Sequence, residues 1–207
     1  MAETDFNWRT VLGFVEGVVN QLPVDTGDTR VALVRFSQDA EVMWNLARYN
    51  NRNDLISAIR RVTSLGERTN IASAFEAARN QILVPFGGDR SGVPNIVFLI
   101  TDGQPTAREI ETIPQASLLK NIATLVTVGI TTETSLRDLL QQLASSFQQA
   151  YFSNVYSQLT LLSNNVLQEA CRRQIAPPPV PTPAPPQGKT NQTCFKFPNQ
   201  DPVIAKL

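Results

Sequence analysis

The sequence predicts an α/β domain: a doubly wound, mainly parallel sheet with one antiparallel edge strand and helices on both faces. Three observations carry this expectation. Strand-like and helix-like patterns alternate along residues 1–173, which implies a parallel sheet wrapped by right-handed crossovers. Two apolar runs, "NIVFLIT" (95–101) and "IATLVTVGI" (122–130), lack polar alternation, as strands do when helices cover both of their faces. Finally, "TRVALVRFS" (29–37) and "EVMWNL" (41–46), joined through "SQDA", read as a hairpin that supplies the antiparallel edge.

The remaining elements follow in order. "DFNWRTVLGFVEGVVNQL" places Phe6, Val11, Phe14, Val15, Val18, Val19 and Leu22 on one helical face. "NRNDLISAIRRV" (51–62) is an amphipathic helix with an Asn or Asp available to cap it. "TNIASAFEAARNQIL" (69–83) is an alanine-rich helix, "QASLLKN" (115–121) a short one, and "ETSLRDLLQQLA" (133–144) a longer one with Thr134 or Ser135 near its start. "AYFSNV" (150–155) is a last short strand, and "YSQLTLLSNNVLQEACRR" (156–173) a closing helix. Trp8, Trp44 and Phe75, set among apolar neighbours, belong to the core. Arg60-Arg61 and Arg172-Arg173 are solvated helix ends.

Three segments result: a folded domain over 1–173, a proline-rich linker over 174–192, and a short tail over 193–207. Within the linker, "PPPVPTPAPP" (177–186) fixes φ and lacks N–H groups, so it forms a stiff, extended polyproline spacer. The tail is too short to fold by itself.

Composition removes several classes of function. Lys+Arg and Asp+Glu balance at 18 each, without the basic excess of a nucleic-acid binder. No apolar run approaches the length needed to span a bilayer, and the acidic, polar start "MAETDFNW" is not a signal peptide. The chain has no histidine, which removes Ser-His-Asp and Cys-His catalysis and His-based zinc sites. There is no P-loop, no G-x-G-x-x-G after a strand and no G-x-S-x-G; an enzyme is the least favoured class. The two cysteines, Cys171 and Cys194, are disulfide candidates, with each other or with a partner, or free thiols. Asn191-Gln192-Thr193 fits the N-glycosylation pattern, making Asn191 an acceptor if the chain is secreted.

Sheets of this kind bind ligands beyond the carboxyl ends of their strands. Asp102 stands at such an end, in "PNIVFLITDGQPT", where it is either a turn former or a ligand holder. Thr69, in "LGERTNIAS", stands before a helix, where it is either a helix cap or a second site residue.

In order and spacing, "TRVALVRFSQDAEVMWNL", "NRNDLISAIRRV", "GERTNIASAFEAA" and "PNIVFLITDGQPT" closely resemble the von Willebrand factor A domain, over about Phe6 to Cys171. The resemblance implies a metal-ion-dependent adhesion site built from three loops: Asp-x-Ser-x-Ser after the first strand, a threonine in a second loop, and an acid in a third. By motif, Thr69 is that threonine and Asp102 that acid. Such hard oxygen donors suit Mg²⁺, Ca²⁺ or Mn²⁺, with one position left open for a partner's carboxylate.

This sequence departs from the family at its start. No Asp-x-Ser-x-Ser occurs, and the first strand, central in the family's sheet between "RVALVRF" and "NIVFLIT", is missing. Unpaired buried edges are costly and aggregate. The expectation is therefore that the two neighbours close the gap, that another chain donates a strand, or that the fragment is poorly stable. The divalent cation belongs to the full-length parent, and this chain alone binds it weakly or not at all.

The resemblance implies a secreted, non-enzymatic adhesion or extracellular-matrix module binding a matrix or cell-surface protein, collagen-like or other. The alternatives are an intracellular scaffold of the same fold, with reduced thiols, and a metal-independent structural matrix protein.

Overall fold

The computed structural model describes residues 2–65, 68–163, 166–167 and 201–206, with only the backbone path for 2–5 and 201–206. The hairpin forms as the pattern requires: β1 (Ala32–Phe36) and β2 (Ala40–Trp44) pair antiparallel, Val34 opposite Val42 and Phe36 opposite Ala40. β3 (Asn95–Thr101), β4 (Thr124–Ile130) and β5 (Ala150–Ser153) run parallel, with Phe98 opposite Val126 and Gly129 opposite Phe152. β3 spans the seven residues that its apolar run marks out.

The centre of the sheet is not closed by its two neighbours meeting. The slot between β1 and β3 is neither closed nor open. The chain's own residues Asp201–Lys206 enter it as β6, giving the order β2-β1-β6-β3-β4-β5. β6 runs parallel to both neighbours, with Val203 opposite Ala32 and Val97, and Ile204 opposite Leu33 and Phe98. Residues 201–206 of the segment expected as a separate tail therefore form a central strand. Pro202 is compatible with this because its only register partner is Ile96 of β3; pairing with β1 begins one residue later, at Val203. The missing N–H thus falls where β6 has a single neighbour.

β1, β3 and β4 each feed two cores, as period-2 geometry demands. Leu33, Ile96, Phe98, Ile100, Val126 and Val128 face one side, against α1 (Ala2–Val19), α2 (Arg52–Ile59) and Leu159, Val166 and Leu167 of the closing helix, whose described helical turns are 159–163 and 166–167. Ala32, Val34, Phe36, Val97, Leu99 and Leu125 face the other, against α3 (Ile71–Ala77), α4 (Glu109–Lys120) and α5 (Thr134–Leu143). Trp8, Trp44 and Phe75 are buried, as expected. Phe6 is not: it stands 61% exposed, two residues before the buried Trp8.

Local chemistry accounts for the helix ends. Asn51 caps α2 by accepting from the N–H groups of Asn53 and Asp54. α3 passes at Ala78 into a π-helical turn, Ala78–Ile82, before the chain leaves for β3. α4 begins at Glu109, six residues before the segment marked out by sequence, because Pro114, ordinarily a helix breaker, stands inside it. α5 crosses β4 closely enough that a Cβ on Gly129 would stand 2.5 Å from Leu140 Cδ1.

Candidate functional site

The parallel strands end together at one rim, and their following loops converge there. β3 ends at Thr101, whose hydroxyl donates to the Gly103 carbonyl at 3.0 Å and accepts from the Gly103 N–H at 3.3 Å. This tight turn presents Asp102 outward, exposed. The loop before α3 reaches the same place. A Cβ built on Gly103 would stand 3.7 Å from Thr69 Oγ1. The two sequence-predicted residues therefore share a rim, with Thr69 almost buried beneath the turn that carries Asp102.

Thr69 is held there by reciprocal backbone bonds. Its N–H donates to Thr106 Oγ1 at 2.9 Å, and its carbonyl accepts from the Thr106 N–H at 2.9 Å. The capping role open to Thr69 falls instead to Asn70, whose side chain accepts from the Ser73 N–H at 3.0 Å. The Thr69 hydroxyl is therefore not committed to the helix end. Asn70 also ties the loop to the hairpin: its N–H donates to the Ser37 carbonyl at 2.8 Å and its amide to the Gln38 carbonyl at 2.8 Å. Ser37, Gln38, Glu41 and Leu65 line an open cleft of about 290 Å³ beside it.

Two residues that the sequence did not single out act on the rim. Tyr156, just after β5, donates its hydroxyl to Asp102 Oδ2. Burial, then the neighbouring Asp102, push the phenol well above its ordinary range, so it stays a donor. Arg108, with φ +50 ahead of α4, clamps the far end of the loop. Its guanidinium donates to both Glu76 carboxylate oxygens, at 2.6 and 2.8 Å, and to Glu111, once at 3.0 Å and once more closely. Gln115 also donates to Glu76 at 2.8 Å. These bonds to Arg108 hold the Glu76 and Glu111 carboxyls below the usual range and lock α3 to α4. Tyr156 was findable, since it follows a strand's carboxyl end just as Asp102 does.

The donor set does not amount to a cation shell. Thr69 and Asp102 bring hard oxygens, but Ca²⁺ takes roughly 6–8 of them. Among the described residues no group of three His, Cys, Asp or Glu is placed to hold a metal. Lys206 of β6 lies opposite Ile100, two residues before Asp102, so β6 ends near this rim. Cys171, Cys194 and Asn191 lie outside the described residues. No helix among the described residues is long and apolar enough to cross a membrane.

Comparison with known proteins bears on the same residues. A family model described as the von Willebrand factor type A domain matches residues 1–165. Mouse vitrin is 25% identical over 80% of this chain and 25% of its own length, and mouse matrilin-4 is 30% identical over 54% and 18%. The chain thus spans about a quarter or less of these two relatives. Among solved structures, proximal thread matrix protein 1 from the mussel byssus, in a form with a zinc-occupied MIDAS motif, has a TM-score of 0.75 at 23% identity, covering 80% of this chain and 43% of that one. Manganese-loaded Plasmodium vivax TRAP protein has a TM-score of 0.60 at 14% identity, covering 76% and 65%. At those identities the structural likeness speaks for the fold alone.

Proposed function

The chain belongs to the von Willebrand factor type A domain family, and from that premise we propose that it is a non-enzymatic protein-binding module of the extracellular matrix or cell surface, presenting the Thr69–Asp102 rim to a matrix protein, collagen-like among the candidates. The observation that carries this reading is the convergence of Thr69 and Asp102 on one rim, braced by Thr106. A divalent cation suits those oxygens, and solved proteins of this fold hold zinc or manganese. Thr69 and Asp102 alone offer two donors, so this chain is expected to bind such a cation weakly or not at all. Secretion is favoured by the sequon at Asn191 and the cysteines Cys171 and Cys194. The Tyr156 bond to Asp102 favours a second reading, a metal-independent matrix contact, because the carboxylate already has a partner.

The test is binding of the chain to immobilised triple-helical collagen, with and without Mn²⁺. The expected result is measurable binding that Asp102→Ala and Thr69→Ala each weaken several-fold. Calorimetric titration with Mn²⁺ should give millimolar affinity or none. Binding unaffected by either substitution removes the rim from the proposal, and tight Mn²⁺ binding by this chain overturns the half-site reading. Insensitivity to Mn²⁺ with sensitivity to Asp102→Ala selects the metal-independent contact.

A further inference from the structure

We infer that the outer face of α4 pairs with the same face of a second copy of this chain, in an antiparallel two-fold contact. A helix at a domain surface ordinarily turns charge to solvent, and one that is apolar all round is ordinarily covered. α4 is apolar on both sides. Ala116 and Leu119 are buried in the core beside the sheet, with Thr112 between them on the same face. On the opposite side Ile110 stands 90% exposed, and Ile113, Leu118 and, just past the helix end, Ile122 are each nearly half exposed. Pro114, Ser117 and Asn121, all exposed, fill the positions between them. That spacing is a single helical stripe, and no charged residue interrupts it. Ser117 is already satisfied, since its hydroxyl donates to the Ile113 carbonyl at 3.0 Å; covering it strands no donor.

The charges at the two ends of the stripe select the occupant. The first turn carries Glu109 and Glu111, and the last turn carries Lys120. Lys120 is pinned at that end by donating to the Gln142 and Ala144 carbonyls at 3.1 and 3.4 Å, and an ammonium has a third donor to give. Glu109 is exposed. A two-fold axis passing near Pro114 lays the stripe on itself, sets Glu109 of each copy beside Lys120 of the other, and brings Ile110 against the second copy's Leu118. Such isologous self-complementarity is how most two-fold dimers are built. A parallel arrangement would instead oppose Glu109 to Glu109. A lipid surface fits less well, because interfacial helices flank their apolar face with Lys and Arg, and here acids stand at one end.

Size sets the strength. The stripe is on the scale of the largest apolar patches of soluble monomers, roughly 300–600 Å². Two copies then bury roughly 600–1,200 Å² in total, the low end for a specific interface, which makes a weak, concentration-dependent dimer. α4 starts just after the loop that carries Asp102, so antiparallel pairing points the two rims in opposite directions. That the dimer bridges two matrix molecules rests on the rim reading above; the pairing itself does not.

The test is sedimentation equilibrium of the full chain from micromolar to millimolar concentration, in reductant so that Cys171 and Cys194 form no covalent dimers. The expected result is passage from monomer to dimer with a dissociation constant on the order of 100 µM. Ile110→Asp should weaken the dimer tenfold or more with far-UV circular dichroism unchanged, since that side chain is exposed. Glu109→Lys and Lys120→Glu should each weaken it several-fold, and an equimolar mixture of these two variants should restore it. A chain that stays monomeric to millimolar concentration overturns the proposal and leaves the stripe to an unlike partner. A dimer indifferent to Ile110→Asp forms elsewhere and also overturns it, and a mixture no better than either variant alone overturns the antiparallel register.

Discussion

Proline at position 204 tests the central strand directly. Ile204 lies opposite Leu33 of β1 and Phe98 of β3, residues that are 2% and 1% exposed. Ile204→Pro removes one ladder hydrogen bond, about 0.5–1.5 kcal/mol net, and leaves a buried neighbouring carbonyl unpaired, about 1–3 kcal/mol, so the loss is about 2–4 kcal/mol. For a chain of this size each kcal/mol moves Tm by about 2–4 °C, which gives a fall of roughly 5–15 °C. Asp201→Pro is the control, because Asp201 pairs only with Asn95 at the strand's start; its expected shift is within about 2 °C. Thermal melts followed by far-UV circular dichroism measure both, with urea midpoints as a second readout. A melt for Ile204→Pro that coincides with the parent's would refute the placement of β6 and the reasoning built on it.

Three further outcomes are expected. Gly129→Ala should cost about 1–3 kcal/mol by overpacking, since the new methyl meets Leu140 Cδ1 at 2.5 Å and Phe152 Cδ1 at 3.2 Å; a urea midpoint equal to the parent's would contradict the close α5–β4 approach. Glu76 and Glu111 have folded pKa values depressed by Arg108, so their stabilisation is complete above the unfolded carboxylate range of about 4.3 and drains away as pH falls through the lower folded values. Urea unfolding from pH 6 downward should show that loss, and Arg108→Gln should flatten it. Tyr156→Phe should release Asp102 and raise Mn²⁺ affinity by several-fold in calorimetric titration, with Asp102→Ala abolishing the gain; unchanged affinity would show that the phenol does not compete for the carboxylate.

Much of the architecture was legible because it is written in local patterns. The unbroken apolar run of β3 states its own limits and its two covered faces, and Ile96, Phe98 and Ile100 separate from Val97 and Leu99 as pleat geometry requires. Asn51 advertises a cap, and it is one. β6 was not legible. "DPVIAK" has a proline near its start and sits behind a polyproline segment, and the edges it pairs with lie far away in the chain, so no local signal states that they want a strand. Phe6 fits the helical period of the buried stripe yet stands exposed, because periodicity does not encode what a helical face meets. At the rim, Thr69 and Asp102 were singled out through motif order. Tyr156 and Arg108 act across distances in sequence, 54 residues to Asp102 and 32 to Glu76, that only the folded chain closes.

The position of β6 also governs when the molecule can form. Residues that complete the middle of the sheet are synthesised after every other element, and chains emerge at about 5–20 residues per second. During translation the hairpin and the β3–β4–β5 block are therefore made well before the piece that joins them. Until residues 201–206 are made, Ala32–Arg35 and Asn95–Ile100 lack the strand that pairs with them in the folded chain.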